Sequence, residues 1–138
     1  MSTLDENIPQ MLKLHKEALS GEGVVIDTHV AGTTFIDDSR ELLEVLAKTP
    51  KDKITLILKA EPENPFDSNA VQVLVRVEGF DKSRKIGYIP KSFSETISYV
   101  INHRDIYQLL ITRPNFFGGF EEKENIGVFF SLKILKRG

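Results

Sequence analysis

The chain has 138 residues, enough for one domain of ordinary size with its own hydrophobic core. It contains no cysteine, which excludes disulfides and metal or cluster sites that use thiolate ligands. Its formal net charge of -2 argues against a protein that coats long nucleic acids by neutralising phosphates alone.

The N-terminal segment carries Asp5 and Glu6 and lacks the basic region and apolar run of a signal peptide. No apolar stretch approaches the roughly 20 residues that a membrane-spanning helix needs. We therefore expect a cytoplasmic protein that makes no contact with a membrane.

The periodicity of apolar residues divides the chain into short elements. In chain order they are a helix at residues 6–20, a strand at 24–31, a short helix capped by residue 38 or 39 and ending at 47, strands at 53–59, 69–77 and 85–89, a helix at 92–103, and strands at 106–112 and 126–135. The first helix is expected to be an N-terminal extension, residues 1–22, of a domain at residues 23–138.

Most neighbouring strands of this pattern are joined by turns and not by long helical crossovers. About six short strands with two or three helices therefore predict a mainly β, α+β fold. An antiparallel, partly closed β-barrel fits best, because closure protects the edges of short strands.

Enzymatic chemistry finds little support in the residue spacing. The three histidines, His15, His29 and His103, fall in different elements without metal-ligand spacing. The chain also lacks a Gly-x-Ser-x-Gly nucleophile elbow and glycine loops that bind nucleotides. A cation site for hydrolysis would rest on the acids of one loop, Glu61, Glu63 and Asp67. We expect no catalysis, no metal and no other cofactor.

The segment at residues 64–71 places Pro65, Phe66 and Asp67 in succession just before a strand. An aromatic ring beside a carboxylate on a stiff loop suits a nucleic-acid end, because the ring stacks on a base and the carboxylate accepts hydroxyl hydrogen bonds. The alternative is structural: Phe66 plugs the barrel and Asp67 forms an Asx turn to Asn69. Residue chemistry alone leaves both interpretations open.

Three separate motifs resemble those of the HIRAN domain family. Residues 61–71 look like its Pro-x-Asn-Pro-aromatic-Asp-x-Asn-Ala-hydrophobic motif. Residues 30–35 resemble its Val-x-Gly-x-x-aromatic opening, and residues 85–90 are similar to its Gly-aromatic-Ile-Pro strand. The resemblance covers roughly residues 24–135 and implies an OB-like barrel. In the best understood members this domain precedes a Swi/Snf-type translocase that remodels stalled replication forks, and it captures the 3′ end of single-stranded DNA.

The resemblance also implies roles for individual residues. Phe35 and Phe66 stand where the family places rings against the terminal bases, and Asp67 stands where it contacts the terminal 3′-hydroxyl. Tyr88 and Lys91 follow at positions suited to a sugar or phosphate contact. A ring face stacks on any base for about 1–3 kcal/mol, and a carboxylate accepts a hydrogen bond from a free hydroxyl.

Two further parts of the chain affect this implied site: the Gly-rich loop at residues 115–120 and the residue at position 34. Phe116 is expected to close over the second base or to join a hydrophobic lid, and Phe117 and Phe120 are expected to pack internally. Thr34 stands where the fork-remodelling members have an arginine, so a bidentate phosphate contact is lost and weaker DNA binding is expected. Basic residues that would compensate are Lys82, Arg84, Lys85, Lys91 and Arg113.

Two functions are expected from the sequence. The first is a non-catalytic module that binds the 3′ end of single-stranded DNA in repair, replication or mobile-element processes, with a separately encoded helicase, nuclease or other DNA-processing protein as partner. The alternative is a protein-interaction adaptor that keeps the barrel without DNA end binding. In that case the helix at residues 6–20 would dock a partner, unless it packs on its own barrel.

Overall fold

The computed structural model describes residues 8–33, 36, 39–117 and 126–138. Its α-helices are α1 (Gln10–Leu14), α2 (Lys16–Ser20), α3 (Ser39–Ala47) and α4 (Lys91–Asn102), and a 3-10 turn covers Lys51–Lys53. Its strands are β1 (Val24–His29), β2 (Ile54–Ala60), β3 (Val71–Val77), β4 (Arg84–Tyr88), β5 (Tyr107–Ile111), β6 (Asn115–Phe117) and β7 (Gly127–Lys136). This content confirms the predicted mainly β, α+β class.

The strands form two antiparallel sheets. In the larger sheet β7 pairs with β1, β5 and β6, and in the smaller sheet β3 lies between β2 and β4. The sheets meet just after β1: the Val30 amide still donates to β7, while Ala31 and Tyr88 exchange two backbone hydrogen bonds of 2.7 and 2.8 Å. The described strands thus form two sheets joined by this bridge and not a closed barrel.

The strand alternation directs one face of each sheet into a shared core. In β1, Val24 and Ile26 are buried while Val25 and Asp27 face solvent, which is the period of two that the sequence predicted. Both sheets, α3, α4 and the N-terminal helices contribute to this cluster, and its fully buried members include Leu12, Leu46, Ile54, Ile86, Ile97, Val100, Leu132 and Ile134. The core therefore fixes the sheets relative to the helices.

The predicted continuous helix at residues 6–20 is wrong in its described part. Pro9 occupies the N-cap position of α1, and the backbone leaves helical geometry at His15, so two five-residue helices replace one. Leu12 and Leu19 are buried in the core, whereas Leu14 is 69% exposed. The apolar stripe of this segment packs on the chain's own sheets.

The predicted loop at residues 113–125 contains a strand that the sequence did not indicate. Asn115–Phe117 pairs with Gly127 to Phe129 of β7 and forms β6. This strand brings the described strands to seven. Three residues are too few to show an alternation, so no periodicity could identify it.

Gly87 lies at the bridge between the sheets. A Cβ atom at this position would stand 2.4 Å from the Ala31 carbonyl oxygen and 2.5 Å from Cγ1 of Val30. Because the nearer atom belongs to a hydrogen-bonded backbone, it cannot move away without breaking the bridge. A glycine is therefore required for β1 and β4 to approach this closely.

We predict that Gly87→Ala lowers the free energy of unfolding by about 1–3 kcal/mol, as overpacking in a tight interior does. Urea unfolding measures this loss. Gly127→Ala in β7 is the control, since its Cβ would meet the partly exposed ring of Phe129, which can rotate. A smaller loss is expected there, and equal losses at the two glycines would contradict the role given to the bridge.

Candidate nucleic-acid interface

An open groove of about 660 Å³ lies next to the bridge. Its walls come from the segment after β1, the loop between β2 and β3, the end of β4 and the start of α4. The polar and aromatic residues that line it are Glu61, Asn64, Phe66, Asp67, Lys85, Tyr88 and Lys91. The fold thus brings four separate segments of the chain to one surface.

Asn64 organises the loop that forms one side of this groove. Its Oδ1 accepts hydrogen bonds from the backbone amides of Phe66 (2.9 Å) and Asp67 (3.0 Å). Its Nδ2 donates to Oε1 of Glu61 at 3.2 Å. With Pro65 fixing a further backbone angle, these bonds hold the loop in one conformation without regular secondary structure.

Phe66 projects from this loop into solvent, and its exposed fraction is 91%. The hypothesis that this ring plugs the barrel is therefore wrong. The cause is local: the hydrogen bonds to Asn64 orient the backbone of Phe66 so that its side chain leaves the core. An exposed ring on a fixed loop keeps a face available for stacking at little further cost in conformational entropy.

Asp67 connects the same loop to α4. Its Oδ1 accepts a hydrogen bond from the Asn69 amide at 2.8 Å, which is the Asx turn that the sequence offered as the structural alternative. Its Oδ2 lies 3.1 Å from the hydroxyl oxygen of Ser94, in the N-terminal half of α4. The positive end of the helix dipole there favours the negative charge of the carboxylate. Asp67 is thereby held at the groove with its orientation fixed.

Tyr88 lines the groove at the end of β4, together with two charged neighbours. Its hydroxyl accepts a hydrogen bond from Lys85 Nζ and donates to Glu61 Oε2 at 3.2 Å. Lys85 Nζ also lies 4.0 Å from Glu61 Oε2 and 4.4 Å from the centre of the Tyr88 ring. This cluster gives the groove a rigid wall in which the charges of Lys85 and Glu61 offset each other.

The family model of the HIRAN domain matches residues 24–115. The chain belongs to the HIRAN family. HIRAN domains are DNA-binding modules, so the family supports nucleic-acid binding by this chain. Neither a curated protein nor a solved structure matches it. The matched segment contains the whole lining of the groove described above, which makes this groove the candidate interface.

The resemblance implied three further site residues, Thr34, Phe35 and Phe116. Thr34 and Phe35 lie outside the described residues. Phe116 lies in β6, where it is partly buried and packs against the core, away from the groove lining. Its contact with a second base stays a prediction. The assignment of Phe117 to internal packing is wrong, since this ring is 60% exposed, and Phe120 falls outside the described residues.

The basic residues proposed to compensate for Thr34 divide between different surfaces of the HIRAN domain. Lys85 and Lys91 line the groove, and Lys91 is exposed at the first residue of α4. Arg84 and Lys82 line a second groove beside α3, and Arg113 donates to the Ile54 carbonyl at 2.8 Å. Since Lys85 is engaged with Glu61, Lys91 is the lining cation best placed for a phosphate.

Sequence reasoning missed Glu61, Asn64 and Ser94 as residues that position the site. An Asn two residues before an exposed aromatic is a local signal for a side-chain-stabilised turn, whereas the contacts of Glu61 and Ser94 arise from tertiary packing. Within the part of the chain that the structure describes, no group of three His, Cys, Asp or Glu side chains could hold a metal ion. No helix in that part is long and apolar enough to cross a membrane.

We predict that Asn64→Ala speeds amide hydrogen exchange at Phe66 and Asp67 by about five- to tenfold, because each loses a hydrogen bond of about 1 kcal/mol. Asn64→Asp combined with Glu61→Gln is the matched control, as the new carboxylate keeps an acceptor for both amides and the new glutamine removes the like charge that would face it. NMR-detected exchange distinguishes the two variants. Unchanged exchange in Asn64→Ala would mean that another contact orders the loop.

Proposed function

We propose that this HIRAN domain is a non-catalytic module that binds the 3′-hydroxyl end of single-stranded DNA. The observation that supports it best is the pairing of an exposed ring, Phe66, with a fixed carboxylate, Asp67, on the rim of an open groove. We place this activity in repair, replication or mobile-element processes in the cytoplasm, with a separately encoded helicase, nuclease or other DNA-processing protein as partner.

Phe66 supplies a stacking surface for the terminal base. Burying a phenylalanine side chain stabilises a structure by about 1.5–3 kcal/mol. The folded domain does not obtain this stabilisation from Phe66, because the ring is exposed. A base laid on the ring recovers part of it without reading sequence, since every base has a π face. This favours an unpaired strand over a duplex, whose bases already stack on one another.

Asp67 supplies the selection for a free end. A carboxylate has about four lone-pair positions, and the bonds from Asn69 and Ser94 occupy one on each oxygen. The remaining positions accept a hydrogen bond from a 3′-hydroxyl. A phosphate at the same place would meet the negative charge of Asp67. The groove therefore discriminates against a 3′-phosphate and against a continuing strand.

Lys91 supplies the contact for the phosphate that precedes the terminal nucleotide. It is exposed, and it stands at the N-terminus of a 12-residue helix, where the helix dipole also favours an anion. A contact with one phosphate gives low affinity and a shallow salt dependence. For single strands, the logarithm of the association constant falls by about 0.7 per tenfold rise in salt for each phosphate contacted. This agrees with the weaker binding expected from Thr34.

We predict that an oligonucleotide ending in a 3′-hydroxyl binds at least about tenfold more tightly than the same strand ending in a 3′-phosphate, the worth of one charge-assisted hydrogen bond. Asp67→Asn should reduce this ratio to near one, because the amide keeps the Asx turn and removes the charge. Fluorescence anisotropy measures both affinities.

Glu63→Gln is the control for this experiment, since Glu63 is an exposed acid of the same loop outside the groove lining. It should keep the preference for the hydroxyl end. Equal affinity of the wild-type protein for the two ends would remove the role given to Asp67.

The second candidate function is the protein-interaction adaptor. Its docking helix is no longer available in full, because Leu12 and Leu19 are buried in the core. The observation in its favour is a groove of about 670 Å³ beside α3 that exposes Val45 (60%) and Phe80 (66%). If Phe66→Ala leaves DNA affinity unchanged, this interpretation replaces the first.

A further inference from the structure

Three aromatic rings form a cluster on the outer face of the larger sheet, away from the core. The ring of Phe129 lies 5.6 Å from that of Phe117 in an edge-to-face arrangement and 6.2 Å from that of His29. Phe129 is 44% exposed, Phe117 is 60% exposed and His29 is also exposed. We call these three residues the aromatic platform.

The sheet register explains why these rings meet. Phe129 of β7 is the cross-strand partner of His29 in β1 and of Asn115 in β6. Its chain neighbours Val128 and Phe130 are buried, so the alternation of the strand directs Phe129 to the solvent side. Contiguous aromatic area on an open sheet face offers the stacking surface that unpaired bases use.

His29 of the platform lies two residues before Ala31, which lines the groove that holds Asp67. Val30 is buried, so the alternation of the segment places His29 and Ala31 on the same side, and Ala31 lines the groove. Two residues of an extended strand span about 7 Å. A strand leaving the groove past Ala31 therefore reaches His29 within a few nucleotides.

Charges near the platform favour the same occupant. Lys51 donates a hydrogen bond to the side chain of Asn115, which places an ammonium group next to the cross-strand neighbour of Phe129. The acid on this face, Asp27, accepts a hydrogen bond from Ser131 and lies farther from the groove than His29 along β1. Because Asp27 lines one pocket with His29 and Phe129, the attraction of an anionic strand to this surface rests on Lys51.

We propose that the aromatic platform stacks bases of the same single DNA strand, on the 5′ side of the end that the groove holds. This inference rests on the proposed function, and it extends the binding footprint from the terminal nucleotides to a longer strand. Stacking on the platform carries no sequence preference, since rings and bases meet face to face.

The test compares a deoxythymidine trimer with a decamer, each with a free 3′-hydroxyl, by fluorescence anisotropy. The wild-type protein should bind the decamer at least about fivefold more tightly, given about 1 kcal/mol or more from one stacked base. Phe129→Ala and Phe117→Ala should each weaken decamer binding by about five- to 100-fold and leave trimer binding unchanged.

Two matched controls accompany these variants. Leu110→Ala removes a side chain of the same sheet that is equally exposed, at 44%, and Phe80→Ala removes an exposed phenylalanine of the groove beside α3. Both should keep wild-type affinity for the two oligonucleotides. Urea unfolding shows whether a variant has lost stability. If Phe129→Ala is destabilised, the test relies on Phe117→Ala.

The binding results distinguish failure of the proposed function from failure of the platform inference. If the wild-type protein binds neither oligonucleotide, the proposed function fails. If it binds the trimer and decamer equally, or if the platform variants leave the decamer unaffected, the platform inference is overturned while the end-binding function stands. A variant that weakens trimer and decamer alike would also overturn it, because the ring would then act at the groove itself.

Discussion

The two hydrogen bonds between Ala31 and Tyr88 determine where every part of the candidate site lies. They join the larger sheet to the smaller one directly after β1, because they hold the end of β4 against Ala31. Gly87 permits this approach, since any Cβ there would overlap the Ala31 carbonyl. The groove opens at this junction, with Tyr88 in one wall. The platform begins two residues before it, at His29.

The loop at residues 61–70 gains its order from side chains and not from a backbone ladder. Asn64 satisfies two amides, Asp67 satisfies a third, and Ser94 anchors Asp67 to the helix that follows β4. A loop held this way presents Phe66 without rearrangement, so little ordering entropy opposes binding. The same bonds leave lone pairs free on the Asp67 carboxylate. The structural role of Asp67 is therefore compatible with the proposed binding role, where the sequence had offered the two as alternatives.

Local rules predicted much of this architecture. The alternation in β1 and the spacing in α3 and α4 predicted their positions to within about two residues, and the Asx turn at Asp67 was one of the two alternatives that residue chemistry offered. Contacts distant in sequence were not accessible. Arg84 and Lys85 are neighbours, yet they line different grooves, since successive strand side chains face opposite sides. The outward direction of Phe66 depends on its hydrogen bond to Asn64. At His15 the backbone leaves helical geometry, which divides a segment whose apolar periodicity predicted one continuous helix.

The most direct test of this account is an NMR titration of the labelled domain with a trinucleotide that ends in a 3′-hydroxyl. If the groove holds the strand end, the largest chemical-shift changes fall on the amides of residues 64–70 and 88–91, around Phe66, Asp67 and Lys91. Shift changes confined to the groove beside α3, around Val45 and Phe80, would contradict it, as would the absence of any change at saturating trinucleotide.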